Sequence, residues 1–334
     1  MKFERVLKRA TFLDPLNGFQ DGGRDCEVRK DPLTGRNSRI LFFPIRELPQ
    51  PDYEQLKKKD PGFCPFCPEN IKKITPKFNP ALFTQERYSY GDAICFPNAF
   101  PYDENGAVTV LSKDHFLRIS DLTEKIIADG ISCCVDFLID VKRNQPEAIY
   151  QSINWNYLPN GGSSILHPHL QVTASSVATN YYNDLCRTLN EYGDTLFSDL
   201  VDTEEGLGER FLSRDRYFSW IIAFAPQGMF DVIAISHAYF EPESLKKEEI
   251  LNELVSGIKR VIDFIESKKV ISYNMSLFFM IGNRKFIPHM RLCPRTTIPP
   301  LDTCEINYMK MLHNEPMSTM KPESVAEELK KIWW

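Results

Sequence analysis

The sequence has no apolar run approaching the ~18 residues that a membrane helix needs. Its opening, Met-Lys-Phe-Glu-Arg-Val-Leu-Lys-Arg, is too polar to begin a secretory signal. It also has no block of lysine and arginine. The 40 basic residues are outnumbered by 45 acidic ones, for a formal charge of −5, which argues against nucleic-acid binding through a basic surface. There is no low-complexity segment, and the cysteines do not pair off. Nine of them are scattered along the chain, which is not the pattern of a disulfide framework. These absences predict a cytoplasmic chain without nucleic-acid or membrane partners. Histidine is scarce too, with six residues (His115, His167, His169, His237, His289 and His313) to share any imidazole chemistry.

What is present is enough for a sizeable core: 43% hydrophobic and 12% aromatic residues in 334. That length suggests two domains, or one body built from two similar halves. From about residue 90 the chain uses one plan twice. Strands at Asp92–Phe96 and Val108–Ser112 lead to His115, and strands at Phe218–Ala225 and Phe230–Ser236 lead to His237. Each pair precedes a helix with apolar residues recurring along one face. The first places Ile127, Ile131, Val135 and Leu138 behind an Asp121/Glu124 capping box. The second, Ser244 to Lys268, places Ile250, Leu254, Ile258, Ile262 and Ile265. Each helix is followed by a strand, a glycine-containing turn and a strand with a Pro-His pair, in Leu166-His-Pro-His-Leu-Gln-Val172 and Phe286-Ile-Pro-His-Met-Arg-Leu292. Residues 1 to 89 read as loop-rich. Residues 176 to 216 read as a partly helical connection with an acidic exposed loop at 202–209, and Lys321 to Trp334 as a closing helix. The fold class expected is α+β, two tandem repeats whose mainly antiparallel strands form one sheet with helices packed against it. The halves divide as 1–175 and 176–334.

His167-Pro168-His169-Leu170-Gln171 is the most informative stretch. Alternation along a strand projects His167, His169 and Gln171 together, and three polar groups on one face are costly to bury without a purpose. Pro168 removes a ladder donor and suggests an edge or a mouth. The preceding Gly161-Gly162-Ser163-Ser164 turn could aim N–H groups at an anion, although such a turn alone is usually only a turn. Cys64-Pro-Phe-Cys67 has the spacing by which two thiolates reach one tetrahedral zinc. No second CxxC follows, so further ligands would have to be histidines. A redox pair or a chance spacing are the competing readings, without a βαβ context to favour the former.

With these pieces in order, the chain resembles the galactose-1-phosphate uridylyltransferase family, the nucleotidyltransferase branch of the histidine-triad superfamily with two such repeats per chain. The resemblance runs through Asp31-Pro-Leu-Thr-Gly35, Phe43-Pro-Ile-Arg46, Cys64-Pro-Phe-Cys67-Pro-Glu-Asn70, Phe96-Pro-Asn98-Ala-Phe-Pro, Ser112-Lys-Asp-His115 and Asn156 to Gln171. It implies a structural zinc on Cys64, Cys67, His115 and His167, with no position left open for metal-bound water. It implies His169 as a nucleophile that takes a nucleotidyl group from a nucleotide sugar. Gln171, Ser164 and the Gly161, Gly162 and Ser163 turn would meet phosphate. Asn98 and Asn156 would contact the nucleotide or phosphate, and Arg46 would act as a phosphate clamp. The activity implied is transfer of UMP from a UDP-hexose to a hexose 1-phosphate, a reaction of galactose metabolism, by a homodimer. Two alternatives are a phosphorylase resembling ADP-glucose phosphorylase, with inorganic phosphate as acceptor, and a nucleotide-binding module without turnover. Gln171 argues against a simple hydrolase of the superfamily, which commonly has a third histidine there. The second copy has Ile287 and Arg291 where a paired histidine and a glutamine would stand. It is expected to be non-catalytic, with His289 as an ordinary core histidine.

Overall fold

The computed structural model describes residues 1–42, 48–60, 62–298 and 300–333. Three early strands, β1 (Arg5–Asp14), β2 (Gln20–Lys30) and β3 (Asn37–Leu41), form a small sheet, with Met317–Ser318 pairing parallel to β3. Two short helices, α1 (Tyr53–Lys58) and α2 (Pro68–Ile74), follow. The first half of the main sheet is β4 (Tyr88–Tyr90), β5 (Ala93–Pro97), β6 (Asn105–Val110), β7 (Tyr150–Tyr157) and β8 (His169–Ser175), with helix α3 (Glu124–Asn144) between β6 and β7. Helices α4 (Asn180–Tyr192) and α5 (Leu196–Leu207) lead to the second half: β9 (Phe211–Arg214), β10 (Phe218–Ile222), β11 (Val232–Ser236), α6 (Glu248–Ser267), β12 (Ser272–Met280) and β13 (His289–Arg295). α7 (Tyr308–His313) and α8 (Pro322–Trp333) close the chain.

The ten main strands lie in the order β4-β5-β6-β8-β7-β12-β13-β11-β10-β9. Read from either edge the sequence of strands is the same, so the two halves meet at β7 and β12 about an approximate two-fold axis. Those strands pair antiparallel from Tyr157↔Tyr273 to Tyr150↔Met280. The axis passes through the Asn154↔Ser276 pair, since Asn154 faces Gln171 on β8 as Ser276 faces Arg291 on β13.

The period-two pattern decides which face each residue takes. Ile153, Trp155, Tyr157, Leu170 and Val172 point into one core with Met275, Leu277, Met290 and Leu292. The apolar stripes of α3 and α6 cover this face in both halves. Each helix approaches through a glycine at the matching place. A Cβ on Gly130 would lie 2.2 Å from Leu111, and one on Gly257 2.0 Å from the Trp220 ring. On the other face, Cys64, Phe66 and Ile71 cover Phe96, Val108 and Val110 in the first half. Leu33, α4 and α5 cover Ile221, Ile233 and Ile235 in the second. Between these two covers the central strands present Gln171, Asn154, Asn156, Asn274 and Ser276, all only part-buried. The α+β architecture leaves its open polar floor at the two-fold axis.

Several local expectations are corrected. Residues 1 to 30 are not loop but a long hairpin, whose first strand is exposed almost throughout. The N-cap of α3 is Thr123, whose hydroxyl accepts from Ile126 N–H. Asp121 instead accepts from Arg118 N–H one turn earlier. Helix α6 begins at Glu248 after a separate 3-10 turn at Pro242–Lys246. The acidic stretch from 202 belongs largely to α5, and its Glu204 is fully buried against Arg210.

Candidate metal centre and active site

Cys64 and Cys67 sit in a tight turn that runs into α2. The Cys64 sulfur accepts from Phe66 N–H at 3.4 Å, and Asn70 Nδ2 donates to Cys64 O at 2.8 Å. Phe66 is thereby driven onto the sheet, 5.7 Å from the Phe96 ring. The turn carries the two sulfurs to the loop after β6, where His115 lies, and to the residue pair before β8. Cys67 Sγ is 3.3 Å from His115 Nδ1 and 3.8 Å from His167 Nδ1, and Cys64 Sγ is 3.7 Å from His167 Nδ1. All four donor atoms lie within 4.8 Å of one another. Ligands at about 2.3 Å (sulfur) and 2.0 Å (nitrogen) around a tetrahedral ion stand roughly 3.5 Å apart, so this cluster fits one metal ion.

Both imidazoles are fixed through the opposite ring nitrogen. His115 Nε2 is 2.5 Å from Asp60 Oδ2 and His167 Nε2 is 2.7 Å from Ser112 O. A partner on Nε2 sets the tautomer and frees Nδ1 to ligate. Burial lowers the basicity of His167 below the ordinary imidazole value, which keeps its ring in the ligating form. Burial and the neighbouring Cys64 push the Cys67 thiol up to about 12. The Cys67 thiol therefore needs a cation beside it to ionise at neutral pH.

His169 opens β8 and is 7% exposed. Its Nδ1 is 2.8 Å from His167 O. A carbonyl only accepts, so Nδ1 bears the proton and Nε2 holds the free lone pair. Burial lowers the His169 pKa from its usual 6.5, so the ring is neutral at pH 7. Phe66 packs edge-on against both His167 and His169, at 6.3 and 5.2 Å. The metal cluster and His169 therefore share one support. Gln171 follows on the same face, opposite Val108 and Asn154. Leu170 is buried on the other face against α3, so its size does not reach the site. Pro168 marks no sheet edge: β8 lies between β6 and β7, and Pro168 O accepts from Leu111 N–H at 3.0 Å. The strand begins only at His169, and His167 precedes it.

The 158–164 turn packs beside this cluster, and Ser163 and Ser164 line a cleft with Asp60, Cys64, His115 and Asn160. The Gly161, Gly162 and Ser163 N–H groups donate within the turn, to Leu158 O, Pro159 O and Leu158 O. Ser163 Oγ donates to Ile165 O at 2.6 Å. Ser164 is exposed and makes no side-chain hydrogen bond among the described residues. The glycines serve the backbone: Gly162 has φ +91, and a Cβ on Gly161 would meet Tyr273 O at 2.7 Å. Asn156 Oδ1 accepts from Asn274. Asn98 stands at the far end of β5, where its Oδ1 accepts from Phe100 N–H, close to Gly106 and so level with Thr173 of β8. Arg46 lies outside the described residues.

The matching corner of the second half is closed. His289 has the same internal geometry as His169, with Nδ1 2.8 Å from Ile287 O. It is fully buried between Phe197, Phe278 and Phe286 with Tyr181 OH on Nε2. Burial drives its pKa down to about 4. Phe278 takes the place that Asn156 has in the first half, and Arg291, in the place of Gln171, is held between Asp31 and Asp231. Residues that no sequence spacing pointed to are Asp60, Phe66, Asn154, Asn274 and Arg295. Phe66 lies inside the Cys64–Cys67 motif but has no ligand role of its own to mark it, and the other four reach the site only through tertiary contact.

No family model matches the chain. An uncharacterized protein of Archaeoglobus fulgidus is 31% identical over 314 residues, covering 92% of both chains. Among solved structures, a GalT-like protein and an ADP-glucose phosphorylase with bound ADP-glucose, both from Arabidopsis thaliana, superpose with TM-scores of 0.69 and 0.68. Each is 16% identical and spans 92% of this chain and 99% of its own. A uridylyltransferase superposes with TM-score 0.65 at 19% identity, over 92% of this chain and 98% of that one.

Proposed function

The chain belongs to one family with the Archaeoglobus fulgidus protein and has the galactose-1-phosphate uridylyltransferase fold, and on that premise we propose that it is a nucleotidyltransferase working through His169. The observation that carries the reading is the His169 ring itself. It is buried and neutral, its Nδ1–H is tied to His167 O, and Nε2 is left as the nucleophile.

In the first half-reaction Nε2 attacks the α-phosphorus of a UDP-hexose. The P–O bond to the leaving hexose 1-phosphate breaks, and its electron pair departs with that oxygen. The ring becomes a nucleotidyl-imidazolium whose positive charge is stabilised by the Nδ1–H bond to the carbonyl. In the second half-reaction a phosphate oxygen of another hexose 1-phosphate attacks the same phosphorus. The P–N bond breaks and its electrons restore the neutral ring. No net proton is needed in either direction. Gln171, Ser164 and Asn156 supply hydrogen bonds to the phosphoryl oxygens, with Arg46 and Asn98 as further contacts. The turn at Gly161, Gly162 and Ser163 holds those side chains in place, since its own N–H groups are engaged. Zinc on Cys64, Cys67, His115 and His167, once bound, fixes the strand entry on which His169 is mounted.

The test is intact mass after mixing the protein with UDP-glucose or ADP-glucose, with His169→Ala alongside. A nucleotidyl adduct absent from the variant is expected. The sugar nucleotide that loads the enzyme names the base, and the acceptor that discharges it, hexose 1-phosphate or inorganic phosphate, separates transferase from phosphorylase. An adduct that persists in His169→Ala would overturn the assignment.

A further inference from the structure

The second half has lost its own nucleophile corner, yet it reaches into the first through β12. Asn274 stands opposite Asn156 in the β7–β12 ladder. Its Nδ2 is 2.7 Å from Asn156 Oδ1 and 2.6 Å from Gly161 O, and its Oδ1 is 2.6 Å from Arg295 Nη1. Arg295 on β13 is in turn paired with Glu305, and both are largely buried.

The chemistry of these groups fixes every orientation. A guanidinium only donates, so the atom of Asn274 facing it must be oxygen, and a backbone carbonyl only accepts, so the atom facing Gly161 O must be nitrogen. The two constraints agree. Asn274 therefore offers a donor to Asn156, whose oxygen turns toward it and whose Nδ2 points away. That Nδ2 has no partner among the described residues and is not among the buried unsatisfied atoms, so it faces the open floor between the two covers of the sheet. On the other side of the two-fold axis the equivalent pair is Phe278 and Ser152, which can transmit nothing of this kind.

We propose that Asn274, held by Arg295 and Glu305, is a positioning residue. It keeps the Asn156 amide with its N–H₂ toward the phosphoryl group and clamps the Gly161 turn beside it. The retained work of the degenerate half is thus to set the donor polarity of the active one. This rests on the reading of Asn156 as a phosphate contact, and the experiment separates the two.

The experiment is a double-mutant cycle on the rate of nucleotidyl-His169 formation, together with side-chain amide spectra of protein labelled with ¹⁵N-asparagine. Asn274→Asp replaces the donor by an acceptor at constant shape and forces Asn156 to turn its oxygen to the floor. Loading is expected to fall about 100-fold, the scale of one lost transition-state donor. In an Asn156→Ala background the same change is expected to cost less than about 3-fold. Arg295→Met, which frees the Asn274 amide to flip, is expected to give about a 10-fold loss with the same non-additivity, and serves if Asn274→Asp fails to fold. In both variants the Asn156 side-chain amide signals shift and their exchange with water changes. Equal losses in both backgrounds, or unmoved Asn156 signals, would overturn the relay. If the unmodified protein loads from no nucleotide sugar, the functional reading fails, while the amide spectra still decide whether the relay exists.

Discussion

Removing the metal from the Cys64, Cys67, His115 and His167 cluster is expected to lower the thermal midpoint by roughly 10 °C. The ion would cross-link positions 103 residues apart, Cys64 to His167, with His115 tying the middle of that loop at 48 residues from Cys67. Closing a loop of about 100 residues removes about 4.7 kcal/mol of chain entropy from the unfolded state. A midpoint moves roughly 2–4 °C per kcal/mol in domains of about 150–250 residues. This chain is larger, so the lower end applies. The loss is not total, because Phe66 and Ile71 still hold the turn on Phe96, Val108 and Val110 by apolar contact. Metal content by mass spectrometry is expected to be one zinc per chain before dialysis against a chelator under reducing conditions. Calorimetry before and after then reads the shift. Asp60→Ala, which unties His115 Nε2, is expected to weaken metal binding about 10- to 100-fold, or about 1.4–2.7 kcal/mol. A protein isolated without metal, or one whose midpoint stays within about 2 °C after stripping, would refute this account of the cluster.

Three further outcomes follow from burial and packing. Adduct formation should rise with pH to a plateau, because only the neutral His169 ring attacks. Burial places that midpoint below 6.5, and single-turnover rates from pH 4.5 to 8 that show a midpoint above 6.5 would contradict it. His289 should make the fold acid-sensitive. Its pKa is about 4 when folded against 6.5 when free, so the unfolded chain binds the proton first and stability falls as pH drops from 6.5 towards 4. At 1.36 kcal/mol per unit that is about 3 kcal/mol, and denaturant titrations at pH 7.5 and 4.5 should show most of it disappearing in His289→Gln. Gly161→Ala brings a methyl against Tyr273 O at 2.7 Å and should cost about 1–3 kcal/mol together with adduct formation. A variant as stable and as readily loaded as the parent would mean that the turn is not clamped to β12.

Much of this was written in the sequence because it depends on local chemistry. The CxxC spacing, the His-x-His-x-Gln alternation and the apolar stripes of α3 and α6 each follow from geometry within a few residues. What was hidden depends on distant partners. The β1–β2 hairpin leaves no mark in the sequence, because its first strand is exposed on both faces and so lacks the alternation of a half-buried strand. The acidic run at 202–209 reads as solvated until Arg210, itself buried, supplies the counter-charge to Glu204 and Glu209. Thr123, not Asp121, caps α3, because the Asp121 carboxylate is engaged by Arg118 N–H in the preceding 3-10 turn. Asp60 and Asn274 carry no spacing at all. One is a carboxylate that reaches His115 across 55 positions and the other an amide that reaches Asn156 across 118.

The two-fold plan explains why one corner of the sheet is open and the other shut. Both halves place a histidine with its Nδ1 on the carbonyl two residues back, so the strand geometry alone does not make a site. The difference lies in what covers it. In the first half a short turn of Cys64 to Ile71 covers the sheet only as far as Val108 and Val110, and Gln171 and Asn156 remain part-exposed. In the second half α4 and α5 carry Tyr181 and Phe197 over the equivalent positions. Phe278 stacks on Tyr181 at 4.5 Å where the first half has an amide. Arg291, held between Asp31 and Asp231, ties the turn that begins at Asp31 to the second half instead of facing a ligand. The Cys64 to Ile71 turn is a small cover that packs against its histidine without roofing the floor. A helical cover buries it, and the price of that greater burial is a histidine that can only pack.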